Sequence, residues 1–176
     1  LAAAIQPAID ELTSQGINKI ILLAHMQQIA IEKELATLLE DVDIIIAGGS
    51  NTLLADANDT LRDGDVAIDT YPLDFVSPKG EPVLLVNTDG DYKYLGRLVV
   101  NFDDKGILKL RMLNETENGA WAATQEMVDL MTTRTISTRN AVIDRVNEIV
   151  QGLRDVLAER DSNILGKTSV YLDGRR

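Results

Sequence analysis

The chain has no cysteine and a single histidine. Without cysteine there is no disulfide and no thiolate chemistry, so any acid–base or metal-ligating role for an imidazole falls on His25 alone. Positive charge is also scarce. Lysine and arginine number 17 against 28 aspartates and glutamates, a net charge of −11. That balance speaks against nucleic acid and against an anionic membrane face as partners, since both attract cationic surfaces. No apolar run approaches the roughly 18 residues of a membrane span. There is one tryptophan, Trp121, read as a packing residue. What remains is ample: 176 residues, 45% of them hydrophobic, enough for one domain with a real core.

The most informative stretch runs from Lys19 to Leu54. An apolar run, Ile20 to Ala24, stops at His25. An amphipathic segment follows from Ile29 to Glu40, its apolar side holding Ile31, Leu35, Leu38 and Leu39. A second apolar run, Val42 to Ala47, stops at Gly48-Gly49-Ser50-Asn51-Thr52. Short β-branched runs flanking a helical pattern predict a βαβ unit in a doubly covered parallel sheet. A right-handed crossover then sets the two strands side by side or nearly so. Their carboxyl ends share one rim, the place where open α/β sheets bind ligands. His25 and the Gly48–Thr52 turn are therefore expected to face one crevice.

Ala2 to Ser14 carries helical spacing and Gly16 is a natural stop. On the second helix, Glu32, Glu34, Glu40 and Asp41 are expected to form an acidic outer side. From Ala55 to Gly80, turn residues dominate and predict a long irregular connection. Pro82–Asn87, Tyr92–Phe102 and Ile107–Leu113 read as three strands of an antiparallel meander that extends the parallel sheet or packs against it, joined at Asp89-Gly90 and Asp103 to Gly106. Lys93, Arg97, Lys109 and Arg111 read as solvated faces. Gln125 to Met131 reads as a helical turn. Thr138 to Arg160 is the longest helical pattern, with one apolar stripe and Ser137 or Thr138 as its cap. Gly166 to Leu172 reads as a strand with no visible partner. A chain opening on Leu1 inside a helix and ending after that strand is expected to be a fragment of something longer.

His25 at a strand end suits a metal ligand or a general base, and equally a hydrogen-bonded structural residue. Gly48, Gly49 and Ser50 could cradle an anion with backbone N–H groups, or simply turn the chain. Asn51 could offer its amide oxygen to a hard cation, or tolerate a left-handed turn conformation. Nucleophilic catalysis is not supported: Ser50 has no base other than His25, and Asp56 and Asp59 stand at no recognisable spacing.

The order strand, histidine, helix, strand, Gly-Gly-Ser-Asn-Thr resembles the second half of the calcineurin-like metallophosphoesterase domain of bacterial 5′-nucleotidases. The stretch YKYLGRLVVNFDDKG is similar to that family's closing strands, and ILGKTSVYLDGRR to the first strand of its C-terminal domain. The resemblance implies an α/β fold, half of a four-layer sandwich, over residues 1–115. A linker and connector helix would follow over 116–163, and the start of the C-terminal domain over 164–176. It implies a parent that hydrolyses nucleotides or other phosphomonoesters with a pair of divalent metals such as zinc or manganese, in the periplasm or outside the cell. It carries His25 onto a metal-binding histidine, and Gly49 and Asn51 onto the two histidines of a GHxH loop. Here the chain departs, because glycine has no ligating side chain. The family's upstream motifs, a DxH, a GD and a GNH(E/D), are not found ahead of the βαβ unit in this chain. The resemblance therefore implies a fragment inactive by itself. Its alternatives are a non-catalytic module that kept the fold and lost the site, and an unrelated anion-binding α/β domain. A sheet lacking strands from elsewhere in the parent is expected to expose an edge and to self-associate through it.

Overall fold

The computed structural model describes residues 1–127, 129 and 141–161. It divides into two units, 1–130 and 131–176. The expected cap at Ser137 or Thr138 and the expected strand Gly166–Leu172 lie outside the described residues.

The first unit opens with α1 (Ala2–Ser14). Gly16, at φ +84°, ends it. The Gly16 N–H donates to the Thr13 carbonyl and Ile17 N–H to Leu12, the paired bonds of a Schellman stop. β1 (Ile21–Leu23), α2 (Ile29–Leu38) and β2 (Ile44–Ile46) follow. β1 and β2 are parallel neighbours, with Ile21 opposite Ile44 and Leu23 opposite Ile46. The βαβ unit is thus formed as the periodicity predicts.

The next strands depart from expectation. β3 (Leu73–Val76) forms inside the stretch read as irregular, between Pro72 and Pro78. β4 (Pro82–Val86) does not begin a meander. It lies parallel to β2 on one side and antiparallel to β3 on the other, giving the order β1-β2-β4-β3. The reason is apolar character on both faces: Val83, Leu84 and Leu85 have no exposed surface, the signature of a central strand. β5 (Tyr94–Arg97) pairs instead with β6 (Gly119–Ala122) in a separate two-stranded sheet. Of the expected third strand only one antiparallel bridge, Phe102 to Leu108, is made before a 3-10 turn over Leu110–Met112.

The sheet is covered on one face by α1 and α2, where Ile9, Leu35, Leu39, Ile45, Val83 and Leu85 meet. On the other face Ile44 and Leu84 pack under Leu98, Val100, Phe102 and Leu108. That second cover stops short of the β1 edge: Ile21, Leu23 and Ile46 are 54%, 75% and 44% exposed. On the two-stranded sheet, Trp121 is half-buried, with the Arg97 guanidinium 5.5 Å from its ring centre. The second unit contributes one long helix, α3 (Ala141–Asp161).

At the amino end of the sheet, the Asp43 carboxylate accepts the Ile20 N–H at 2.7 Å. Burial pushes the Asp43 carboxyl up from 3.8 to about 6; the Ile20 bond opposes the rise and the nearby Glu81 charge adds to it. Between those two values the folded chain holds a proton that the unfolded chain has released, so this group's contribution to stability falls as pH rises through the window. Asp43→Asn, which keeps an acceptor for Ile20, should flatten that part of the pH profile. Urea titrations at pH 5 and pH 7 check it, and the variant should lose less stability between the two than the parent chain does.

Candidate functional site

Three parallel strands end side by side, and each end supplies part of one rim. The ladder continues past the strands, Ala24 N–H donating to Ile46 and Ala47 N–H to Val86. His25 follows β1. The Gly48–Thr52 turn follows β2. Asn87 to Gly90 follows β4. Gln27, itself at φ +62°, ties the first loop to the second through its N–H on the Gly48 carbonyl, 3.3 Å.

His25 is exposed and lies on the glycine pair. A Cβ placed on Gly49 would stand 2.7 Å from Nε2, and one on Gly48 would stand 3.1 Å from Nδ1. Gly49 is also at φ +81°, a conformation only glycine adopts freely. The imidazole therefore occupies the space that a side chain at position 49 would need. Asn51, at φ +50°, sends its amide elsewhere: a Cβ on Gly90 would meet its Oδ1 at 2.7 Å. Ser50 is held from behind. The buried Asn87 donates to Ser50 Oγ at 3.0 Å, and Ser50 and Thr52 share a hydroxyl bond of 2.9 Å. Asp89 N–H donates to the Thr52 carbonyl, so the β2 and β4 loops are stitched together. Asp89 in turn binds Lys93 at 3.0 Å and holds that ammonium above its usual range.

The rim has partners that sequence reasoning missed. Glu32, expected on an acidic outer side, is wholly buried. It shares a helical face with Leu35, Ala36 and Leu39, at spacings of three, four and seven residues, which is the signal that places it inward. Its Oε1 accepts Met26 N–H at 3.1 Å, bracing the loop just beyond His25. Its Oε2 has no hydrogen-bond partner among the described residues. Asn87 and Asp89 were missed because the Asp89-Gly90 turn signal suggested a hairpin. Beside the rim lies a cavity of about 370 Å³, walled by Ile46, Val86, Leu98 and Tyr71, with Asn87 and Asp89 at its polar end. Its volume is that of a small-ligand pocket. Burial pushes the Tyr71 phenol far above its usual range.

These residues do not fit a pair of divalent metals. The chain brings one imidazole to the rim, the nearest amide oxygen turns toward Gly90, and position 49 has no side chain. Among the described residues no three His, Cys, Asp or Glu side chains converge as a ligand set. Asp56 and Asp59 lie apart from the rim. Asp59 accepts the Asp56 N–H at 2.9 Å, and burial raises its carboxyl above the usual range.

Gly49→Ala should cost about 1–2 kcal/mol from the left-handed backbone alone, and more from the contact with His25. Gly64→Ala, at φ +85° with nothing within 4 Å, carries only the backbone part. Denaturant midpoints should fall further for the first than for the second.

No family model matches the chain. Over 171 residues, 97% of its length, it is 30% identical to a 5′-nucleotidase of Rattus norvegicus and covers 26% of that protein. A solved structure of the NAD nucleotidase of Haemophilus influenzae superposes on 89% of the chain and 35% of its own, with a TM-score of 0.64 and 27% identity. The crystal structure of a 5′-nucleotidase precursor from Thermus thermophilus covers 71% of the chain and 23% of its own, with a TM-score of 0.59 and 30% identity. The chain spans less than a third of the curated relatives it matches. By sequence along nearly its whole length, and by fold, the chain belongs to the 5′-nucleotidase family as a segment of such a protein.

Proposed function

We propose that the parent is a metal-dependent phosphoester hydrolase acting on nucleotides, and that residues 1–176 by themselves do not turn over substrate. The observation that carries this reading is the placement of His25 against the Gly48–Gly49 turn, at the carboxyl rim of adjacent parallel strands. A metal pair would polarise the phosphoryl group and supply a nucleophilic water. Its other ligands would have to come from outside residues 1–176. What this chain does at the rim is narrower. His25 presents an imidazole, Gly48 to Ser50 present a turn that backbone N–H groups can open to an anion, and Asn87 with Thr52 hold that turn in place.

The segment reading assigns 1–115 to the second half of the metallophosphoesterase domain, 116–163 to a linker and connector helix, and 164–176 to the start of a C-terminal domain. It also explains the bare face of β1. A further sheet layer from the rest of the parent would cover Ile21, Leu23 and Ile46; without it, two copies could pair through the β1 edge. An exported parent, periplasmic or extracellular, fits the likeness to the 5′-nucleotidase precursor of Thermus thermophilus. No helix among the described residues is long and apolar enough to cross a membrane.

The second reading is a non-catalytic module that kept the fold. Gly49 favours it, because the imidazole fills the space a second ligand would take. One assay bears on both. Purified chain with a nucleoside 5′-monophosphate and Mn²⁺, Zn²⁺ or Mg²⁺ should release no phosphate above background. Turnover that His25→Ala abolishes would refute the inactive-segment reading.

A further inference from the structure

We infer that Glu32 is the positioning residue of His25: acting through the Met26 amide, its buried carboxylate holds the imidazole on the Gly48–Gly49 turn, a role that deepens, and rests on, the hydrolase reading of this rim. Glu32 stands where the periodicity of α2 calls for an apolar side chain. It shares its face with Leu35, Ala36 and Leu39, all buried, and has no exposed surface of its own. A carboxylate taken out of water there carries a desolvation penalty that one hydrogen bond does not remove. Its Oε2 has no hydrogen-bond partner among the described residues. Glu32 falls in the first turn of α2, where the helix dipole eases the penalty, but the dipole gives the second oxygen no donor. For packing alone, an apolar residue of similar length would serve as well or better. Breaks of this kind in an otherwise consistent pattern concentrate at functional sites.

The one bond that Glu32 makes goes to the loop that carries the imidazole. Oε1 accepts the Met26 N–H at 3.1 Å. Met26 sits between the two residues that abut Gly49: a Cβ placed on Gly49 would stand 2.7 Å from His25 Nε2 and 3.0 Å from Gln27 Cγ. Gln27 is in the left-handed region at φ +62°, and its N–H reaches the Gly48 carbonyl at 3.3 Å. A non-glycine residue keeps that conformation only where its surroundings impose it. Two ties do so here, and the Met26 bond is the shorter. Without it the loop is left with one long hydrogen bond, and both side chains that lie over Gly49 are released together.

Two substitutions of similar length separate positioning from packing. Glu32→Met removes the acceptor and fills the same space, whereas Glu32→Gln keeps an acceptor oxygen. In chain 1–176, Glu32→Met should have a denaturant midpoint equal to or above that of the unsubstituted chain, because it removes a buried oxygen without a partner. Its Met26 amide should nonetheless exchange with deuterium roughly tenfold faster, the scale of one lost hydrogen bond. Nuclear Overhauser effects from the His25 ring to the Gly49 Hα protons should disappear. Glu32→Gln should preserve both signals. Leu35→Ala, which opens a cavity on the same helical face, should lower the midpoint and leave the His25 effects in place. None of these readouts needs turnover, so a parent without hydrolase activity would defeat the functional reading and not the role of Glu32. Unchanged Met26 exchange and unchanged His25 effects in Glu32→Met would overturn the proposal. So would a Glu32→Met chain that fails to fold or loses as much stability as Leu35→Ala, since the carboxylate would then serve the core. A Glu32→Gln variant as loose as Glu32→Met would also overturn it.

Discussion

The rim depends on one thing, the parallel backbone ladder through β1, β2 and β4. Its last rungs, Ala24 to Ile46 and Ala47 to Val86, bring three strand ends level. Parallel strands emerge on the same side, so every loop that follows them must start there. His25, the Gly48–Thr52 turn and the Asn87–Gly90 loop meet because their strands are hydrogen-bonded neighbours, and no side-chain attraction is needed to gather them. The helices and the core exist to keep that ladder dry: Ile45, Val83 and Leu85 have no exposed surface.

Above the ladder, the loops are fixed by small and polar groups. Two glycines let the imidazole lie flat on the turn. Asn87, Ser50 and Thr52 link hydroxyls and an amide beneath it, and the buried Glu32 holds the Met26 amide. Hydroxyls and amides of this kind orient a loop well but offer little charge to a cation. The rim presents one imidazole and no side chain at position 49, and among the described residues no three His, Cys, Asp or Glu side chains converge as a ligand set.

Much of this was legible in the sequence, and the misses have physical causes. β1, α2 and β2 announce themselves because their periods switch from strand to helix to strand within a short span. His25 and the glycine turn fall at strand ends, so their shared rim follows from topology. β4 was misplaced because Asp89-Gly90 is a hairpin signal, and local turn chemistry carries no record of the partner a strand chooses. β3 hid among prolines and aspartates. Glu32 was misread because a charged residue is assumed to face water, although its spacing to Leu35, Ala36 and Leu39 puts it on the apolar side. Asn87 then had no reason to be linked to Ser50, 37 residues away. Pairings of that range come only from the fold.

The central claim is the contact between the imidazole and the turn across two neighbouring strand ends. It can be read directly in solution, because a chain with one histidine gives one set of imidazole signals. Nuclear Overhauser effects from the ring protons of His25 should reach the Gly49 Hα protons. Their absence, with the ring protons instead showing effects to the side chains of Leu35 or Leu85 in the core, would place the imidazole inside the domain and contradict the shared rim.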